Sequence, residues 1–183
     1  MVDLSLLQSV SYIAGALGVC VAAAYYVMNL REQRRNRRIS QTNEMLRFFL
    51  SYEYQKIWFE LLNMEWSNYD DFEKRYGSDY NLDNVAKRHM FWYNYDTLGN
   101  LLRDGYVDRN TIFNSSAMSV IFTWAKFKPI LEENRRRYSG LESWKGFEYL
   151  ANEMMRLSQL RDPSFKVPEN FVKYVPTSDF SIQ

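Results

Sequence analysis

The sequence predicts an all-α protein in which an N-terminal transmembrane helix continues into a small antiparallel helical bundle. Three observations lead to this fold class. Residues 4–30 form a run without a charged side chain. No glycine or proline interrupts residues 31–50, so the same helix is expected to continue through them. Farther on, apolar residues recur at intervals of three and four, and few segments alternate with the period of a strand.

The uncharged run is long enough to cross a bilayer. A hydrocarbon core about 30 Å thick needs roughly 20 helical residues, and we place the spanning part near residues 10–29 of an anchor over residues 1–30. Tyr12 would then lie at one interface, with Tyr25 and Tyr26 near the other. The alternative is a cleaved signal peptide with residues 22–24 as its small-residue site. It is disfavoured because no basic segment precedes the run and because the run is too long.

A basic juxtamembrane helix, residues 31–50, is predicted to follow the anchor. Its first eight residues contain five arginines: Arg31, Arg34, Arg35, Arg37 and Arg38. Cytoplasmic flanks are enriched in Lys and Arg, whereas only Asp3 precedes the run, so we expect the N-terminus outside and the rest in the cytoplasm. The arginines are also the predicted membrane-surface site, since a basic residue near anionic lipid contributes about 1 kcal/mol. A role as an orientation signal alone stays open.

The body, residues 51–160, is predicted to be a helical cytoplasmic domain. Helices are expected over residues 52–66 and 83–102, from residue 109 onward, and after Ser143, with a turn or short helix at residues 69–78. Asp83, Asp108 and Ser143 are the expected N-caps, because a short polar side chain can accept a hydrogen bond from a free N–H of the first turn. Gly105 is expected to end a helix in the left-handed conformation.

Apolar stripes on these helices predict one core. The stripes are Phe91, Tyr95, Leu98 and Leu102; Phe113, Ala117, Val120, Trp124, Phe127 and Leu131; and Phe147, Leu150, Met154 and Leu157. Three prolines in the tail, residues 161–183, exclude a further long helix. We expect the aromatic residues of this tail to pack along the body.

Composition excludes several classes of function. Cys20 is the only cysteine and lies in the predicted span, so a disulfide within the chain is excluded. His89 is the only histidine, and no metal site or cofactor is expected. The net charge of +1 argues against a nucleic-acid-binding protein.

One polar constellation is compatible with an enzyme. His89, Tyr93 and Asp96 are spaced four and three residues apart, so they share one helical face that could handle a proton. Arg136 and Glu148 are candidates to complete a pocket. A structural histidine is the favoured interpretation, because no nucleophile, second histidine or metal-ligand set accompanies it.

Self-association through the anchor is a second hypothesis. Small residues on one side of a transmembrane helix permit close approach of another helix. They are Ser11, Gly15, Gly18 and Ala22. Small residues are also common in spans generally, and no Gly-x-x-x-Gly pair is present.

The sequence resembles domain-of-unknown-function family 4760. The resemblance lies in the N-terminal span, its arginine-rich continuation, LGNLLRDGYVD at residues 98–108, WAKFKP at residues 124–129, three arginines at residues 135–137 and FEYLA at residues 147–151. It covers about residues 11–161. It implies a small prokaryotic protein with one anchor and a helical body, and it supplies no catalytic residues.

Two classes of function follow. The favoured one is a membrane-anchored interaction module, an adaptor or accessory subunit that meets lipid and an unidentified protein partner at the inner membrane face and that can associate with itself through the anchor. The alternative is a membrane-bound enzyme with the pocket around His89, Tyr93 and Asp96. The absence of a recognisable catalytic set favours the first.

Overall fold

The computed structural model describes residues 4–140 and 142–169, without the side chains of residues 4–7, 38, 41–46 and 139. The all-α class is confirmed, since the described residues form helices and no strand. The chain divides into two compact units, Met1–Gln41 and Thr42–Gln183, and the boundary falls within the predicted juxtamembrane segment. Asp3, the Arg38 side chain and residues 170–183 of the predicted tail lie outside the described part.

Helix α1 runs without interruption over Leu4–Phe49. The predicted continuation of the anchor helix through the arginines is therefore confirmed. The helix ends where Ser51 adopts an extended backbone and caps the next helix, α2, by accepting a hydrogen bond from the Tyr54 N–H at 3.2 Å. Phe49 is buried and stacks on Tyr95, with 5.8 Å between the ring centroids.

Helices α2 and α3 are short. Helix α2 spans Tyr52–Leu62 and ends before the predicted residue 66. After Asn63 the chain leaves the helix and buries Met64 and Trp66. Helix α3 spans Tyr69–Tyr76, as the predicted short helix, and its N-cap is Asn68.

Helix α4 spans Leu82–Arg103, and its predicted N-cap is wrong. Asn81 holds the position instead, because its side chain accepts a hydrogen bond from the Asn84 N–H at 3.1 Å. Asp83 lies in the first turn and pairs with Lys87 at 2.7 Å. The predicted left-handed Gly105 is confirmed, with φ at 75°.

Helix α5 spans Arg109–Asn134 and begins at the predicted cap. Asp108 accepts a hydrogen bond from the Thr111 N–H at 2.8 Å. The helix continues past Pro129 into a π-helical turn, Arg135–Ser139, which the sequence did not predict. Gly140 follows this turn with φ at 71°.

Helix α6 spans Lys145–Arg161, and its predicted cap, Ser143, is also wrong. Trp144 occupies the N-cap position with φ at 63° and makes no capping bond with its side chain. The cap comes from α4, where the Asp96 carboxylate accepts a hydrogen bond from the Phe147 N–H at 3.0 Å. A tertiary contact thus replaces the local one.

The body is organised by the crossing of α4 and α6. A Cβ atom on Gly99 would lie 1.8 Å from the Gly146 carbonyl oxygen, and one on Gly146 would lie 2.2 Å from the Asp96 carbonyl oxygen. Only glycine at both positions permits this approach. Around the crossing lies one aromatic core, in which Trp92, Tyr54, Tyr95, Phe91, Phe127 and Phe147 are almost fully buried. Phe165 and Val167, at the start of the tail, are partly buried against it.

Candidate functional site

Helix α1 contains a segment that is long and apolar enough to cross a membrane. Among the described residues it is the only such helix, and the segment spans Gln8–Arg37, 30 residues near the N-terminus. Every residue of this segment is exposed except Leu30, which is half-buried. Val19, for example, is 70% exposed. Apolar side chains of this kind are normally removed from water, but these pack on no described part of the chain.

The described arginine side chains after the apolar run are exposed. These are Arg31, Arg34, Arg35 and Arg37. Within the described part of the chain none of them makes an ion pair. Their contact with the membrane surface stays a prediction.

The predicted self-association residues also face outward. Ser11, Gly15, Gly18 and Ala22 are all exposed. A Cβ atom added at Gly15 or Gly18 would meet no described atom within 4 Å. Self-association stays a prediction.

Two of the predicted pocket residues belong to one aromatic cluster. The His89 ring lies 5.7 Å from the Tyr93 ring and 6.0 Å from the Trp144 ring, measured between centroids. Burial, together with the nearby Arg88 guanidinium, lowers the pKa of His89, so this imidazole is neutral at pH 7. Asp96 lies one helical turn beyond Tyr93 on α4 and caps α6.

The other two pocket residues have separate ion pairs. Arg136 binds Glu133, with 2.8 Å between its Nε and the carboxylate. Glu148 pairs with Arg135 at 2.9 Å and with Lys145 at 3.2 Å. Burial acts to raise the pKa of Glu148, but these two cations outweigh it, and the pKa is lowered. The structure joins His89 with Tyr93 and gives Arg136 and Glu148 different partners, so a shared pocket of all five stays a prediction.

A buried arginine was missed by the sequence interpretation. Arg88 is 3% exposed, donates from Nη2 to the Tyr76 carbonyl at 2.6 Å and lies 4.4 Å from the Phe72 ring centroid. No described carboxylate pairs with it. Burial lowers the pKa of Arg88 to about 10, so the guanidinium still carries its charge at neutral pH. An arginine among aromatic residues gives no sequence signal that distinguishes burial from exposure.

A hydrogen-bonded group inside the core was also missed. The hydroxyls of Tyr54 and Tyr95 bond to each other, and the Trp58 indole N–H donates to the Thr123 hydroxyl at 3.0 Å. Burial raises the pKa of both tyrosines above the ordinary value. The network connects α2 with α4 and α5.

An open cavity of about 390 Å³ lies between α3, the turn after it and the π-helical turn. Its lining includes Asp70, Glu73, Asp79, Lys74 and Arg137, and none of the five predicted pocket residues. Asp70 already pairs with Arg137 at 3.0 Å. Among the described residues no group of three or more His, Cys, Asp or Glu side chains could hold a metal ion.

Comparison with known proteins finds one family. The chain matches DUF4760, a domain of unknown function, over residues 12–154, which reaches from inside the apolar segment of α1 to the middle of α6. No curated protein and no solved structure matches the chain. Because the match covers well over half of the sequence and includes both the apolar helix and the body, the chain belongs to the DUF4760 family.

Proposed function

We propose that this protein is a membrane-anchored interaction module whose helical body binds a protein partner at the cytoplasmic face of the membrane. The observation that carries the proposal is the contrast within α1. Residues 8–37 are exposed around the whole helix apart from Leu30, whereas Phe49, at the end of the same helix, is buried in the core of the body. A bilayer is the environment that suits the first part, and α1 connects it directly to the second.

The arginines of α1 support the proposed orientation, with the body in the cytoplasm. A helix whose basic residues all follow the apolar run inserts with that flank in the cytoplasm. Four exposed arginine side chains within one short stretch can each contact a lipid headgroup, at about 1 kcal/mol per residue. Membrane lipid is therefore proposed as the first partner, with the N-terminus outside.

The body supports binding rather than turnover. Asp96 and Glu148, two of the polar residues considered for catalysis, hold the N-terminal turn of α6 in place. Confinement to a membrane raises the effective concentration of a tethered domain, so weak contacts with a protein partner suffice. Nucleic acid is not proposed as a ligand.

Proximity labelling tests the proposal. The full-length protein is compared with a version that lacks residues 1–39 and with a version in which the five arginines at positions 31 to 38 are replaced by glutamine. We expect specific proteins to be labelled by the full-length chain and lost in the version without the anchor. Equal labelling by the full-length and anchorless chains would contradict the proposal.

A His89→Ala variant separates the proposal from the enzyme alternative. Binding through the body predicts that the labelled proteins and any cellular phenotype are unchanged, because His89 is half-buried beside Trp144. Loss of the phenotype with folding, location and labelled partners preserved would favour the enzyme. The matched control is Tyr149→Ala, which removes another surface ring from the body.

A further inference from the structure

One uncharged face runs along α1 well beyond the apolar segment. Five turns of an α-helix take about 18 residues, so positions separated by that interval lie at the same angle around the axis. The small residues of the anchor are thereby aligned with neutral polar residues of the basic segment. Ser11, Gly15, Gly18 and Ala22 are aligned with Asn29, Gln33, Asn36 and Ser40, respectively. At about 100° per residue all eight fall within roughly 60° of one another.

Charged residues avoid this face. On the same helical geometry, Arg31, Arg34 and Arg35 lie on the opposite half of α1. Two charges flank the face: Glu32 lies along one edge and Arg37 along the other, each about 70° from its centre. Neither makes an ion pair within the described residues.

Within the described part of the chain, no close contact requires glycine at Gly15 or Gly18. Glycine inside a helix is less favourable than alanine by about 1 kcal/mol. Gly99 and Gly146 offset this cost by letting two backbones touch, but a Cβ atom on Gly15 or Gly18 would meet no described atom within 4 Å. Close approach by a helix from another molecule would let Gly15 and Gly18 make such a backbone contact.

The chemistry of the face fits a second copy of this chain. In a parallel pair related by a two-fold axis each residue meets its own counterpart, so it needs to be both donor and acceptor. Asn, Gln and Ser satisfy that condition, whereas Arg, Lys and Glu do not. Glu32 and Arg37 are five residues apart, the interval from position g of one heptad to position e of the next, where ion pairs form between parallel helices.

We propose that two copies of this protein pair in parallel and in register along α1, through the face from Ser11 to Ser40, with two Glu32–Arg37 ion pairs between the copies. The inference goes beyond membrane binding and does not depend on the proposed partner of the body. It rests on anchoring only in that the first half of the face lies in the span. The arginines on the opposite half stay free for lipid.

Disulfide cross-linking in native membranes tests the pairing. The natural Cys20 is exposed and lies on the arginine side of α1, so it serves as the built-in control. In a Cys20→Ser background, single cysteines are introduced as Asn29→Cys, Asn36→Cys and Ser40→Cys on the face, and as Arg34→Cys on the other side. Copper phenanthroline supplies the oxidant. We expect dimers from the three face positions and at most a tenth as much from Arg34→Cys or from Cys20.

Charge reversal gives a second readout. Glu32→Arg alone is expected to reduce cross-linking through Asn36→Cys at least threefold, because like charges would then meet along both edges. Adding Arg37→Glu is expected to restore it. Uniform cross-linking at all positions, cross-linking mainly from Arg34→Cys, or no cross-linking would overturn the proposal. Failure of the double variant to recover would overturn the ion pairs.

The location of each variant is measured in the same samples by extraction with alkaline carbonate. A chain that is released from the membrane contradicts the proposed anchoring, whatever its cross-linking pattern. A chain that stays in the membrane without face-specific cross-linking contradicts the pairing alone. The two failures are therefore distinguishable.

Discussion

The two units of this protein use glycine in opposite ways. In the body, Gly99 and Gly146 lie where α4 and α6 touch, and neither position has room for a methyl group. In α1, Gly15 and Gly18 have open space around them. The body therefore has close backbone packing within one chain, whereas the glycines of the exposed segment of α1 have no such contact among the described residues. The difference separates the packing that folds the body from the external contacts that we propose for α1.

Removal of the exposed segment of α1 is expected to give the largest effect. A fragment that begins near Ser40 retains Phe49 and the whole aromatic core, so we expect it to be water-soluble, helical and cooperative in melting. Circular dichroism with thermal unfolding decides this. A largely disordered fragment would mean that the exposed segment of α1 contributes to the fold of the body.

Matched glycine substitutions should give the next largest effect. Gly99→Ala places a methyl group 1.8 Å from a carbonyl oxygen and is expected to destabilise the body by more than about 4 kcal/mol. The methyl group added by Gly18→Ala meets no described atom within 4 Å, so this variant should leave the stability of the body unchanged. Denaturant unfolding of the full chain in mild detergent, followed by circular dichroism, measures both. Equal effects would contradict the contrast between the units.

Trp124→Ala tests the core itself. The Trp124 side chain is 8% exposed and packs edge to face on Phe147, with 5.0 Å between the ring centroids. Its truncation should cost on the order of 3 to 5 kcal/mol, including the cavity that it leaves. The control is Tyr138→Ala, since Tyr138 is 72% exposed. A loss below about 1 kcal/mol in the same unfolding assay would show that the core does not depend on this ring.

The smallest effect is expected from pH. Hydrogen bonds from Arg136 and Arg137 lower the pKa of Glu133 to about 2 from an ordinary value of 4.5. A carboxylate whose pKa is lowered in the folded state stabilises that state at pH values above its unfolded pKa. This contribution is lost as the pH falls from about 4.5 to about 2.

Glu133→Gln should therefore reduce the free energy of unfolding that is lost on acidification by on the order of 1 kcal/mol. The effect is small because exposed Arg136 is screened by solvent. Thermal unfolding between pH 7 and pH 2 measures this difference. An unchanged slope below pH 4.5 would show that the ion pairs of Glu133 contribute nothing to stability.

Sequence reasoning succeeded where the determinants are local. The all-α class, the unbroken α1, the Asp108 cap and the left-handed Gly105 all follow from spacing and from backbone chemistry within a few residues. The N-caps of α4 and α6 do not follow from local sequence in this way. Asn81 and Asp83 are both acceptable caps, and the choice between them depends on where the chain turns after α3.

The rest depended on tertiary contacts. Asp96 was singled out as a possible catalytic group, but its hydrogen bond to the Phe147 N–H joins residues far apart in the sequence. The π-helical turn and the Gly99–Gly146 crossing likewise have no periodic signal. Among the candidate site residues, the arginines and the small residues of α1 follow a pattern that the sequence alone shows. That part of the helix packs on no described residue of its own unit, so no tertiary contact had to be predicted.

The most direct test of the account concerns the exposed part of α1. The protein is tagged at both ends, and intact cells are treated with a membrane-impermeant protease, followed by alkaline carbonate extraction of the membranes. The account predicts loss of the N-terminal tag, protection of the C-terminal tag and retention of the chain in the carbonate pellet. Release by carbonate, or digestion of the C-terminal tag with protection of the N-terminal one, would contradict it.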